Sequence, residues 1–178
     1  MLFRSYRSEF QKAIADFTEG IRLDPSYAFA YFQRGFAYHA LEEPDKAYVD
    51  YTQSIQLDPH YITAYLNRGI ILYTRRGEFD ASIKDFDQAL KLGPDNINAL
   101  MHRGVAYGAN SDFERGFADL NRAIDWLTRY YDTENRLVRG ALDQLNLLRN
   151  ARLMLEPPLP VDSLREVRRL RAARETRG

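Results

Sequence analysis

Tyr31 to Tyr38 reads YFQRGFAY, an arginine and a glycine set among four aromatic residues in a segment of helical periodicity. A guanidinium on an apolar helix face is costly unless paired, so Arg34 either holds a partner inside the protein or meets an anionic ligand outside it. The same word recurs as YLNRGIILY from Tyr65 and LMHRGVAY from Leu100, which puts Gly35, Gly69 and Gly104 at spacings of 34 and then 35 residues. Downstream of each glycine comes a second helical segment: DKAYVDYTQSIQLDP, DASIKDFDQALKLGP and ERGFADLNRAIDWL, with a fourth version, QKAIADFTEGIRLDP, from Gln11. Turn-like sequences (LEEPD, RRGEFD, NSDF) separate the two halves, so the repeating unit is a helical hairpin.

Physical chemistry accounts for the pattern. Glycine at 35, 69 and 104 lets the first helix approach its neighbours closely, while Ala47 and Tyr51, four apart, put a small and a large side chain on one face of the second helix. Asp24-Pro25, Asp58-Pro59 and Gly93-Pro94 end one hairpin and begin the next, because the residue before proline is driven out of helical conformation. A hairpin of this size has too little core of its own, so neighbours must stack.

The unit resembles the tetratricopeptide repeat. Tyr31, Gly35, Tyr38, Ala47, Tyr51 and Pro59 stand at that family's offsets, as do Tyr65, Gly69, Leu72, Ser82, Phe86 and Pro94. The third copy keeps Leu100, Gly104, Tyr107, Gly116 and Leu120 without a closing proline, and a partial first copy keeps Ala13, Phe17 and Pro25. One residue is inserted near Arg75 to Gly77, where a turn is expected to absorb it. The resemblance implies an all-α, right-handed superhelical solenoid. Its expected parts are a partial repeat at 1–27, full repeats at 28–61, 62–96 and 97–130, a capping helix within 131–156, and a proline-rich linker with a basic tail at 157–178. MLFRSYRS is expected to fill only the space before a turn, leaving the first repeat short of most of its first helix. The capping helix is expected over Asp132 to Leu155, with Leu137, Ala141, Leu142, Leu145, Leu148 and Ala151 on its apolar stripe.

Composition excludes several functions. In 178 residues, 25 basic side chains balance 25 acidic ones, which is not the profile of a nucleic-acid-binding surface. The absence of cysteine removes disulfides, thiolate metal sites and a cysteine nucleophile. His39, His60 and His102 have no partner at metal-ligand spacing and no glycine loop cradles phosphate, so neither metal nor other cofactor is expected, nor is enzymatic activity. No apolar run approaches a membrane span, and the opening MLFRSYRSEF lacks a signal-peptide pattern, which makes the cytoplasm the expected compartment.

Two residue sets are candidates for function. Arg34, Arg68 and Arg103 each precede a repeat glycine, and Asp50, Asp85 and Asp119 stand at matching places in the second helices, with Asp16 in the partial copy. One cation and one anion recurring per unit read as an Arg–Asp ladder, a structural role preferred here over anion binding. The second set follows the other face of the first helices: Phe29, Phe32 and Phe36, then Thr63, Leu66, Ile70 and Tyr73, then Asn98, Met101 and Val105. The resemblance implies that these places line a concave groove for a peptide or helix. Phe29 and Phe32 packing against the preceding hairpin is the alternative. Gln33, Asn67 and His102 either offer hydrogen bonds to a bound backbone or are simply solvated. In a branch of the family, Lys, Asn and Arg in this groove grip the carboxylate end of heat-shock chaperones. Asn67 matches that pattern, whereas Phe36, Asn98 and His102 depart from it, so an apolar peptide or amphipathic helix suits the groove better.

The expected function is therefore a non-enzymatic adaptor or scaffold module. The alternative is a homo-oligomeric scaffold or assembly subunit that buries the groove, or the N-terminal end, against another chain. Residues 161–178 carry six arginines against Asp162, Glu166 and Glu175, a net +3, with Val161, Leu164, Val167 and Leu170 on a helical stripe. This tail is a candidate ligand for the chain's own groove. Nucleic acid is disfavoured because no aromatic residue accompanies the arginines.

Overall fold

The computed structural model describes residues 2–155. The linker and basic tail lie outside the described residues. The chain divides into a unit Met1–Leu148 and a unit Arg149–Gly178, the latter described only through the helical end at Leu155. Every regular element among the described residues is helical: α1 (Leu2–Leu23), α2 (Ala28–Ala40), α3 (Pro44–Leu57), α4 (Ile62–Ile71), a π-helical turn (Leu72–Arg76), α5 (Phe79–Leu92), α6 (Ile97–Ala109), α7 (Phe113–Tyr130) and α8 (Arg136–Leu155).

In the first unit, α2/α3, α4/α5 and α6/α7 are hairpins, and α1/α2, α3/α4 and α5/α6 join them into a stack in which each helix packs on its neighbours in the chain. α4 also touches α6, so consecutive first helices meet. Proline and short polar caps set the joints. Asp58, ahead of Pro59, leaves α3 with extended backbone, and its carboxylate accepts the His60 N–H; Asp24 does the same for Ser26. Asn96 caps α6 by accepting from the Ala99 N–H at 2.9 Å.

Small residues decide how close the helices come. Tyr51 and Phe86, both fully buried, lie under Gly35 and Gly69, where a Cβ would sit 3.0 Å and 2.7 Å from their rings. In the third hairpin Gly104 and Gly116 face one another across the α6/α7 crossing, and Leu148 of α8 rests on Gly108 and Gly116.

Three expectations change. α1 is one uninterrupted helix from Leu2 to Leu23, with no turn after MLFRSYRS, because no proline lies within it and a helix already nucleated propagates easily. α8 begins at Arg136 rather than Asp132: a turn closes from Asn135 N–H to the Asp132 carbonyl, and the Asn135 side chain then accepts from the Leu137 N–H. Val138, Ala141, Leu145 and Leu148 are buried, while Leu137 and Ala151 of the expected stripe are exposed. The inserted residue also lies inside the helix end. Glu42, Gly77 and Ser111 occupy equivalent left-handed turn positions, at φ 61°, 65° and 64°, and one residue more separates Gly69 from Gly77 than separates the other glycine–turn pairs. The surplus is taken up as the wide turn Leu72–Arg76 that follows α4 directly.

Candidate functional site

The arginines are paired in every hairpin. Arg34 donates from Nε and Nη2 to both carboxylate oxygens of Asp50, each at 2.8 Å. Arg68 does so to Asp85 at 2.8 and 2.7 Å, and Arg103 to Asp119 at 2.6 and 2.8 Å. These forks tie each first helix to its own second helix. The remaining nitrogen, Nη1, reaches back to the preceding element: to Thr18 on α1 at 3.3 Å, Thr52 on α3 at 3.2 Å and Asp87 on α5 at 2.6 Å. One guanidinium thus joins three helices. Asp50, Asp85 and Asp119 are buried, whereas Asp16 on α1 is exposed.

The electrostatics fit an internal staple. Hydrogen bonding to Asp119, supplemented by Asp87, holds the Arg103 guanidinium more firmly protonated than usual, and Asp50 does the same for Arg34. Burial pushes the Asp85 carboxyl above the ordinary carboxylate range against the opposing pull of Arg68. None of these three forks is left over to receive an outside anion. A second set of ties runs along the turn edge, where Arg76 bonds Asp45 at 2.9 Å and lies 4.0 Å above the Tyr48 ring, and Asn110 bonds Asp80 at 2.9 Å.

The other candidate face divides. Phe32, 9% exposed, packs against Tyr51 and Tyr61 at ring distances of 5.7 and 4.7 Å, and Leu66, 8% exposed, belongs to the core between the second and third hairpins. Phe29 and Phe36 remain about half exposed, but each meets α1 edge-on, at Phe17 and Phe10. Thr63 and Asn98 are exposed, and Gln33, Asn67, Ile70, Tyr73, Met101, His102 and Val105 are half-buried. Asn67 Nδ2 lies 3.5 Å from the Tyr51 hydroxyl, and His102 Nδ1 shares a 3.0 Å hydrogen bond with the hydroxyl of Tyr73 while its ring stacks on Phe86. Thr63, Asn67, Ile70, Tyr73, Asn98, Met101 and Val105 carry no formal charge, unlike the charged ladder beside them.

Burial lowers the His102 imidazole below its ordinary 6.5, and burial, helped by Arg75, lowers His39. A group whose folded pKa is depressed contributes fully above the unfolded value, and that contribution is lost as pH falls through about 6.5 towards the folded value. The melting temperature of the wild type should therefore drop more between pH 7.5 and 5.5 than that of His102→Gln. Equal drops would mean that His102 titrates as freely as in an unfolded chain.

Some features were not read from sequence. Thr18, Thr52 and Asp87 were missed as partners of the arginines, although each stands two residues beyond a ladder aspartate position in the same helix. A cleft of about 190 Å³ beside Ile97 and Leu100 was also missed, with Arg122, Asp125, Trp126 and Arg129 of α7 on its wall. Among the described residues no His, Cys, Asp and Glu cluster suits a metal ion, and no helix is long and apolar enough to cross a membrane.

Comparison with known proteins agrees with the stack of helical hairpins. One tetratricopeptide repeat model fits residues 28–61, and a second TPR repeat model fits residues 6–42 and 72–111. No curated protein sequence matches. Among solved structures, the first TPR of Spaghetti (RPAP3), bound to the HSP90 peptide SRMEEVD, superposes with a TM-score of 0.60 at 23% identity, covering 70% of this chain and 91% of that one. MamA gives a TM-score of 0.62 at 24% identity, over 71% of this chain and 68% of its own. The TPR domain of Arabidopsis OM64 gives 0.57 at 22% identity, over 67% and 94%. The models together cover more than half of the sequence, and the stacked hairpins share the fold of these neighbours: the chain belongs to the tetratricopeptide repeat family.

Proposed function

We propose that this protein is a non-enzymatic interaction module that holds an uncharged or apolar peptide segment, or one face of an amphipathic helix, along the row formed by α2, α4 and α6. The carrying observation is the division of labour on the first helices. Arg34, Arg68 and Arg103 are consumed by internal pairs, and the neighbouring strip from Thr63 to Val105 is neutral and partly open. The residues of that strip bring no charge of their own to meet an acidic segment. The peptide seen on the Spaghetti TPR ends in Glu-Glu-Val-Asp, whereas the family resemblance implies that a carboxylate grip would need Asn and cations where this chain has Phe36, Asn98 and His102. An uncharged segment loses less solvation on entering it.

Peptides selected from a random phage-displayed library on the full chain test this reading. Selected sequences should be poor in Asp and Glu, and Ile70→Glu/Val105→Glu should weaken their binding at least about tenfold, as expected for a charge placed against an apolar contact. Unchanged binding in a folded double variant would move the site elsewhere. A second reading, end-on association with another copy, is favoured by Tyr6, Tyr27, Phe29 and Phe36, all exposed around α1 and α2. A mass in solution that stays monomeric at high concentration removes it.

A further inference from the structure

Tyr73 sits where the second hairpin departs from the other two. It lies in the wide turn Leu72–Arg76 created by the extra residue, and its hydroxyl reaches the first helix of the next hairpin, 3.0 Å from His102 Nδ1. The contact is fixed from two sides, since the Tyr73 ring meets Phe86 edge-on at 6.1 Å and the His102 ring stacks on Phe86 at 6.0 Å. Phe86 is fully buried and cannot give way. Wide turns of this kind frequently mark functional positions in helices.

The hydrogen bond constrains the imidazole. A neutral ring has one donor and one acceptor nitrogen, and a tyrosine hydroxyl is a better donor than acceptor for it, a pairing that favours Nδ1 as acceptor with the proton on Nε2. Among the described residues Nε2 has no hydrogen-bond partner, and the fully buried side-chain atom left unpartnered there is Ser54 Oγ, not Nε2. Nε2–H therefore meets solvent on the half-buried side of α6. Burial lowers the pKa of the ring, which favours its neutral form at physiological pH.

We infer that His102, held by Tyr73 as its Nε2–H tautomer, is a specific hydrogen-bond donor to a main-chain carbonyl, or an equivalent uncharged acceptor, of the segment bound on α4 and α6. This rests on the reading of that row as the ligand surface. His102 is the contact that fixes the register of an otherwise apolar segment, and Tyr73 is its positioning residue. The wide turn is what brings the hydroxyl within reach.

Two measurements test it. A long-range proton–nitrogen spectrum of the labelled full chain at pH 7.5 should show His102 protonated on Nε2 alone, and Tyr73→Phe should give a mixture of tautomers. Protonation on Nδ1 in the wild type overturns the inference. For a library-selected peptide, His102→Gln, whose amide nitrogen falls near Nε2, should bind within about threefold of wild type, while His102→Asn, whose amide falls near Nδ1, should bind about tenfold more weakly, the loss of one hydrogen bond. Tyr73→Phe should lie between. Peptides that bind all these variants alike overturn the role of His102 and leave the groove reading standing, whereas a library that yields no binder overturns both.

Discussion

Replacing Arg68 by methionine is expected to lower the unfolding free energy by about 3 kcal/mol, the low end of the range for breaking a buried ion pair, since the guanidinium keeps some exposure. At the usual scaling for a chain of this length, that is a fall of roughly 6–12 °C in melting temperature. The loss is not the value of the pair itself. It arises because Asp85, 5% exposed, is left without a partner in a site that already disfavours its charge. Removing that charge too, in Arg68→Met/Asp85→Ala, should recover most of the loss, although a small cavity remains. Arg68 also bonds Thr52 of the preceding hairpin, so the single variant should loosen α3 against α4 and raise amide exchange in both. If Arg68→Met melts with the wild type, the forks contribute nothing and the charge has another purpose.

Gly116→Ala should destabilise the protein by about 1–3 kcal/mol, even though alanine favours a helix over glycine by about 1 kcal/mol. Its Cβ would lie 2.9 Å from the Gly104 carbonyl oxygen and 2.8 Å from Leu148 Cδ2. A side chain can turn aside, but the carbonyl belongs to the backbone of α6, so α6 and α7 must separate. Gly140→Ala on α8 supplies the contrast: nothing lies within 4 Å of its Cβ, and the helix preference should show alone as a gain of about 0.5–1 kcal/mol. Thermal or urea unfolding of the two variants reads opposite signs. A stabilised Gly116→Ala would mean that the crossing has slack.

Much of this fold is legible because the repeat writes each constraint several times. Arg34, Arg68 and Arg103 recur with Asp50, Asp85 and Asp119, and a charged pair that repeats with the hairpin has to be met by the hairpin's own geometry. What occurs once is harder to read. The extra residue after Gly69 looked like loop length, but whether a surplus residue lengthens a turn or widens a helix depends on local packing, here on Tyr73 held between Phe86 and His102.

Helical spacing also overstated the candidate face. It groups Phe29, Phe32 and Phe36 correctly, yet α2 is packed by α1 on one side and α3 on the other, so the middle ring is buried while those at 29 and 36 stay half open. Leu66 is drawn into the core for the same reason. Periodicity gives the angle of a side chain about its helix; how wide an open strip the neighbours leave is a property of the stack. In α8 the stripe differs by its packing: Val138, Ala141, Leu145 and Leu148 face the core and Leu137 faces out, a choice between adjacent faces that helical spacing alone leaves open.

Charge holds the hairpins together, and we propose that a neutral strip on their first helices binds the partner. The most direct test is an amide chemical-shift map of the full chain titrated with a library-selected peptide. Shifts concentrated on α4 and α6, around Asn67, Ile70, Tyr73, His102 and Val105, are the predicted result. Shifts concentrated on the outward residues of α3, α5 and α7, with α4 and α6 silent, would contradict it.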